Sequence, residues 1–202
     1  MNRQALRRVR YSVAMSLDGY IADPDGGYDW IPVDPDIDFG ALFRDVDTVL
    51  VGRKSWEIAR RQPGGGGMPP LPTYVFSRTL RPADVPGAVL SRDPAQTVAE
   101  LKRQPGKNIW LFGGGELFRS LLAHDLVDEV EIGLVPVLLG RGLPMLPGAD
   151  RLARLELLGH RVYAATGTVL LRYQIVRAGA GVKPGARARR SSRRGGERRS
   201  RG

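Results

Sequence analysis

Three stretches, far apart in a chain of 202 residues, each join an apolar, strand-like run to a small or polar residue at a chain reversal. The longest reads Ile109-Trp110-Leu111-Phe112-Gly113-Gly114-Gly115-Glu116-Leu117. Its glycines let the main chain approach a ligand closely, and the helix expected after them turns unpaired N–H groups and a positive dipole end toward a phosphate. A pyrophosphate suits that geometry, although a plain tight turn has the same local signature. Phe118 occupies the sixth position of the run, so G-x-G-x-x-G is not satisfied, and no Walker A sequence is present. The second stretch, Val49-Leu50-Val51-Gly52-Arg53-Lys54-Ser55-Trp56-Glu57, sets two cations and a hydroxyl at a helix start, where they either converge on an anion or cap a solvated surface helix. The third, Val75-Phe76-Ser77-Arg78, ends a strand on a hydroxyl and a guanidinium. An Arg so placed can pair with the 2'-phosphate that separates NADP from NAD, although a merely solvent-exposed Arg after a strand has the same local signature.

The elements that must position these groups follow from periodicity and punctuation. Val9 to Met15 is a β-branched run that predicts a buried first strand, followed by a long irregular loop through Asp18-Gly19 and Asp23-Pro24-Asp25-Gly26-Gly27. A short helix is expected at Phe39 to Arg44, with Asp38 as its N-cap. Thr48 to Val51, Thr73 to Ser77, Ala88 to Ser91 and Asn108 to Phe112 read as strands, and Lys54 to Arg61, Pro94 to Arg103 and Glu116 to Ala123 as helices. Three further strands, Glu129 to Val137, Leu155 to Tyr163 and Thr168 to Val176, close the domain. Strands alternating with helices and then a β-rich end predict an α/β fold with a mixed, mostly parallel central sheet, flanking helices and an antiparallel C-terminal edge.

Composition narrows the chemistry. The chain has no cysteine, which removes disulfides, thiolate nucleophiles and cysteine metal sites, and its two histidines, His124 and His160, have no ligand spacing, so no metal is expected. No apolar run is long enough for a membrane helix and the N-terminus does not read as a signal peptide, which makes the cytoplasm the default compartment. Of the net charge of +10, the segment Lys183 to Gly202 supplies +8, from nine Lys or Arg against one Glu. The domain therefore spans residues 1–178, and 179–202 reads as a disordered Arg-rich tail. Its Arg pairs, without aromatic residues, would give only sequence-independent contact with nucleic acid, which would make the domain an NADP-binding module beside it; a solvated extension is the simpler reading.

Taken in order, Val13-Ala14-Met15-Ser16-Leu17-Asp18-Gly19-Tyr20-Ile21-Ala22, Gly52 to Glu57, Phe76-Ser77-Arg78 and Phe112 to Leu117 resemble the dihydrofolate-reductase superfamily. Within it they are most similar to stand-alone bacterial forms of the reductase half of the riboflavin deaminase-reductase. The resemblance covers about Val9 to Val176 and implies a dihydrofolate reductase-like fold, NADPH as cofactor and reduction of a small pyrimidine or pterin-like heterocycle, with 5-amino-6-(5-phosphoribosylamino)uracil as one candidate and dihydrofolate as the nearest alternative. It implies that Ala14 and Ile21-Ala22 line the nicotinamide site, that Gly52, Arg53 and Ser55 bind phosphate, that Ser77 and Arg78 take the 2'-phosphate, and that Phe112, Gly113, Gly114, Gly115, Glu116 and Leu117 form the pyrophosphate turn. It also implies that Leu134 to Pro147 is a late loop bracing the core.

A reductase of this kind needs a proton beside the hydride acceptor, and a carboxylate in a partly apolar pocket can hold the ring or relay that proton. Asp38 stands where dihydrofolate reductases carry their pocket carboxylate, with Asp36 as rival and N-capping as the alternative role for either. Asp18 is a second candidate, for catalysis or as a pocket wall, against an ordinary role in turn hydrogen bonding. Trp30 and Trp56 are candidates to stack on the heterocycle, against core filling. One departure bears on the substrate: Lys54 to Pro72 lacks the Asp-Asp-Pro segment of the riboflavin-pathway reductases. Apolar strands such as Val169 to Val176, with the resemblance, point to a homodimer.

Overall fold

The computed structural model describes residues 6–62, 68–148 and 152–177, so the Arg-rich tail and the four-glycine run 64–67 lie outside the described residues. In chain order the elements are β1 (Val9–Ser16), β2 (Tyr20–Ala22), α1 (Phe39–Arg44), β3 (Val46–Gly52), α2 (Arg53–Arg61), β4 (Thr73–Phe76), β5 (Val89–Ser91), α3 (Pro94–Arg103), β6 (Asn108–Gly113), α4 (Gly115–Ala123), β7 (Glu129–Val135), β8 (Leu143–Pro144), β9 (Arg154–Tyr163) and β10 (Thr168–Val176). Eight strands form one sheet in the order β5-β4-β3-β6-β1-β7-β10-β9. Every pairing from β5 to β7 is parallel, and β10 runs antiparallel between β7 and β9. The expected mostly parallel sheet with an antiparallel C-terminal edge is therefore what the chain builds.

The central strands are covered on both faces by connecting segments, which is why β3 carries the near-continuous apolar run Val49-Leu50-Val51, all fully buried. On one face Tyr11, Leu50, Leu111, Val130 and Ile132 pack with Val98 and Leu101 of α3 and with Leu117, Phe118, Leu121 and Leu122 of α4. Tyr11 stacks on Phe118 with ring centroids 4.3 Å apart. Asp93 caps α3 by accepting the Gln96 N–H at 2.9 Å, and Pro94 fills the first helical position. On the opposite face Val51, Val75, Val85 and Trp56 form a second, smaller cluster under α2.

The segment after β1 differs from expectation in one respect. Residues 20–22 form a short strand that pairs antiparallel with β8, about 120 residues away, instead of continuing as irregular loop. Three residues are too few for a period to show, and the partner strand is two residues long. The rest of that segment, through residue 38, is fixed at its far end by Asp34. Its buried carboxylate accepts the Thr166 hydroxyl at 2.7 Å and the Asp36 N–H at 2.9 Å, tying the loop to the turn between β9 and β10.

Candidate functional site

β3 and β6 lie side by side, so the chain reversals at their C-terminal ends meet. A Cβ on Gly52 would stand 3.5 Å from the Gly114 nitrogen, and one on Gly114 only 3.1 Å from the Ser55 hydroxyl oxygen. Gly115 is tighter still. A Cβ there would fall 2.6 Å from the Pro144 carbonyl and 2.8 Å from that of Met145, so the start of α4 fits beneath the late loop only without a side chain. Gly114 is the N-cap of α4 and leaves the first-turn N–H groups of that helix uncapped by any side chain. Two strand-to-helix turns that the sequence separates by about 60 residues thus present their N–H groups and the Ser55 hydroxyl to one space, the usual location of ligands in open parallel sheets.

That space is one continuous cleft of about 1670 Å³. Gly52, Arg53, Ser55, Ser77, Arg78, Phe112, Gly113, Gly114, Gly115, Glu116 and Leu117 all line it, as do Ala14 and Ile21 further along. The Arg53 guanidinium is held along its own helix by both oxygens of Glu57, each at 3.0 Å. The Ser77 hydroxyl accepts the Thr79 and Leu80 N–H groups at 3.1 and 3.0 Å and so shapes the turn after β4. Arg92, just before α3, donates to the Arg78 carbonyl at 2.6 Å and brings a second guanidinium to the same corner. Nothing in the sequence near Arg92 distinguishes it; it reads as an ordinary residue ahead of the Asp93-Pro94 cap.

The cleft continues over the sheet face formed by β1, β7 and β10, where Arg10, Ser12, Asp45, Glu131 and Arg172 line a charged floor. Behind it the buried Glu129 accepts Arg8 at 2.7 Å and Arg10 at 3.1 Å; burial acts to raise its carboxyl, but the two guanidiniums hold it below its ordinary value. Arg10 reaches on to Asp45 at 2.8 Å; burial opposes its charge, yet the hydrogen bond and attraction of Asp45 raise it above the usual arginine value. One row along, Glu131 accepts the Ser12 hydroxyl at 2.9 Å and forms an ion pair with Arg172 at 3.2 Å. Beside this floor Phe43, Trp110 and Phe112 make an aromatic wall, with Trp110 centred 5.1 Å from Phe43 and 5.2 Å from Phe112. Of these groups only Phe112 is legible locally, because the others come together through strand register or, for Phe43, through the packing of α1 on Trp110, rather than through spacing.

The remaining candidates are placed differently. Asp38 lines the cleft, but at its rim, where its side chain is 59% exposed and paired with Arg44 at 3.2 Å. Asp36 is exposed. Asp18 is not among the lining residues. Its carboxylate accepts the Ser16 hydroxyl at 2.6 Å, the Gly140 N–H at 2.7 Å and the Leu139 N–H at 3.1 Å, bonds that lower it below its ordinary value, the Ser16 bond most. It holds the turn of the late loop whose far side, at Pro144 and Met145, covers Gly115. Trp56 also stays out of the cleft: its ring is buried with Val51, Val75 and Val85, and its indole N–H donates to the Asp84 carbonyl at 3.4 Å. Trp30 is half-buried outside the lining. Among the described residues no group of His, Asp and Glu is arranged to hold a metal ion, and no helix is long and apolar enough to cross a membrane.

Comparison with known proteins supplies the context for this geometry. The family model of the RibD C-terminal domain matches residues 7–169. The uncharacterized protein YyaP of Bacillus subtilis is 31% identical over 183 residues, covering 85% of this chain and 97% of YyaP. A Shewanella protein assigned to riboflavin biosynthesis superposes with a TM-score of 0.72 at 27% identity, over 84% of this chain and 99% of its own. Dihydrofolate reductase from Enterococcus faecalis, solved with NADP(H), superposes with a TM-score of 0.63 at 16% identity, over 83% and 96%. The fold is therefore dihydrofolate reductase-like.

Proposed function

Because the chain belongs to the RibD C-terminal domain family, we propose that it is an NADPH-dependent reductase of a small pyrimidine- or pterin-like heterocycle. The observation that carries the reading is the meeting of Gly52, Ser55 and Gly113 to Gly115 at the head of a cleft whose corner holds Arg78 and Arg92. When bound, NADPH supplies a hydride to a polarised C=N or C=O carbon, leaving NADP+ while the neighbouring nitrogen or oxygen takes up a proton.

The chain's own groups divide that work. The uncapped N–H groups of α4 and the Ser55 hydroxyl bind the pyrophosphate, with Gly52 and Arg53 beside it, and Phe112, Glu116 and Leu117 shape the turn. Ser77, Arg78 and Arg92 take the 2'-phosphate. Ala14 and Ile21 border the nicotinamide, and Phe43 and Trp110 do the stacking first expected of Trp30 and Trp56. Asp38, open to water at the rim, relays the proton from solvent, and Asp18 acts indirectly, by fixing the loop over Gly115. The substrate is either 5-amino-6-(5-phosphoribosylamino)uracil or a close relative, with dihydrofolate as the alternative.

Calorimetry with NADPH, followed by the fall in NADPH absorbance with each substrate, tests the proposal. Binding with turnover of one of the two is the expected result. Absence of binding heat from folded protein would defeat it, and binding without turnover of either would defeat the choice of substrate.

The reading includes a homodimer. Leu155, Leu157 and Val162 are exposed along β9, the sheet's edge strand. Two copies of β9 set antiparallel about an axis between Leu158 and Gly159 place Glu156 opposite Arg161 and Leu155 opposite Val162, so the strand is self-complementary in charge and apolarity. Sedimentation of the intact chain should give a dimer, and Leu157→Glu a monomer; a monomeric wild type would remove this part.

A further inference from the structure

One row of the cleft floor has no counterpart in the groups assigned above. Ser12, Glu131 and Arg172 stand side by side on β1, β7 and β10, and the next row toward the glycine turns is Ala14, Gly133 and Leu170. Glu131 is only 4% exposed, yet it lines the cleft. The Ser12 hydroxyl and the Arg172 guanidinium each engage one of its two oxygens. A carboxylate accepts about four hydrogen bonds, so a side chain that lines the cleft keeps acceptor capacity while two partners hold it in place. Burying charge on a sheet face is costly, and an apolar floor would serve the fold at least as well.

Gly133 is a second and independent peculiarity. It lies in the middle of β7, where glycine weakens a strand, and its φ is not in the left-handed region. Nor does packing exclude a side chain: a Cβ there would meet only the Ala14 Cα at 3.9 Å and the Thr168 Cγ2 and Val13 carbonyl at 4.0 Å, all ordinary contacts. Neither backbone conformation nor protein neighbours account for the glycine. What its missing side chain leaves is a flat patch, with Ala14, on the floor of the cleft.

We infer that a planar ring lies on the Ala14–Gly133 patch with an N–H edge turned to Glu131, and that Glu131 is the residue selecting hydride acceptors with adjacent N–H or amino donors over plain carbonyl compounds. The inference rests on the reductase reading and adds to it the residue and the donor pattern that fix the acceptor's orientation. The sequence hides this residue: Glu131 sits in an alternating strand, and only the register with Ser12 and Arg172 brings it under the ring.

The test uses 5,6-diaminouracil as probe, titrated by calorimetry into the full chain saturated with NADPH, for wild type, Glu131→Gln and Gly133→Val. Wild type should bind the probe, and Glu131→Gln should weaken it at least about tenfold, the loss typical of a hydrogen bond to a charged group. Gly133→Val leaves every ion pair in place and should abolish probe binding by filling the patch. NADPH affinity should stay within about threefold in both variants. The inference is overturned by probe binding within twofold of wild type in either variant, by a wild type that takes NADPH but not the probe, or by Gly133→Val losing nucleotide and probe together. A wild type that binds no NADPH defeats the reductase reading, and this inference with it.

Discussion

The two halves of the cleft are built from different material. At the strand ends the site is mostly main chain: Gly52, Gly113, Gly114 and Gly115 contribute by what they lack, and the groups offered to a ligand are N–H dipoles and the Ser55 hydroxyl. Over β1, β7 and β10 it is side chain: Arg10, Ser12, Glu131 and Arg172 on a sheet face, each oriented by a neighbour on another strand. A main-chain site tolerates almost no added volume but little depends on any one charge. A side-chain site fails when a single charge is removed, and it tolerates added volume only away from the bare patch at Gly133.

The sharpest way to break that contrast is to add one side chain to the main-chain half. Gly115→Val would drive its Cβ into the Pro144 and Met145 carbonyls, which are backbone atoms and cannot rotate away. The start of α4 must then shift, and NADPH affinity should fall at least about a hundredfold, with overpacking costing about 1–3 kcal/mol of stability. Calorimetry and thermal unfolding read the two effects separately. Wild-type affinity in this variant would mean that the turn does not hold the pyrophosphate.

A smaller effect tests the corner where the contrast blurs. Arg92 is a side chain in the main-chain half, brought to Arg78 by its bond to the Arg78 carbonyl. Arg92→Ala should weaken NADPH about tenfold or more, as expected for loss of a charge-assisted contact, and leave NADH unchanged. Equal loss for both nucleotides would move Arg92 away from the 2'-phosphate.

The same contrast explains what was legible in the sequence. Glycine turns are local: Gly113-Gly114-Gly115 follows an apolar run and precedes a helical one, so its position is written within nine residues. Long strands and helices were legible for the same reason, α3 and β10 to the residue. The floor was not, because Glu131 meets Ser12 across a separation of 119 residues and has no local signature. Position along the chain points to Asp38 as the pocket carboxylate, and the fold puts that residue at the rim. Trp56 looked available on a helix beside the site, but the helix turns that face to Val51 and Val75. β2 and β8 escaped because each exists only as the other's partner.

The mildest perturbation acts on Asp18, which joins the halves by pinning the late loop to the end of β1. Its carboxyl lies below the ordinary value because the Ser16 hydroxyl, then the Gly140 and Leu139 N–H groups, stabilise the ionised form. A group lowered on folding contributes stability at every pH above its unfolded value, near 4, and loses that contribution as pH falls through the folded value. Asp34 is lowered in the same sense, chiefly by the Thr166 hydroxyl, and pins the other loop over the cleft. The thermal midpoint of the wild type should therefore drop as pH is taken from 5 toward about 3, and Asp18→Asn combined with Asp34→Asn should lower it at neutral pH and flatten the acid limb. A double variant with the full wild-type acid limb would assign that sensitivity to the ion pairs beneath the floor, where Glu129 is also lowered, and would make the side-chain half, rather than its covering loops, the part of the cleft that acid opens first.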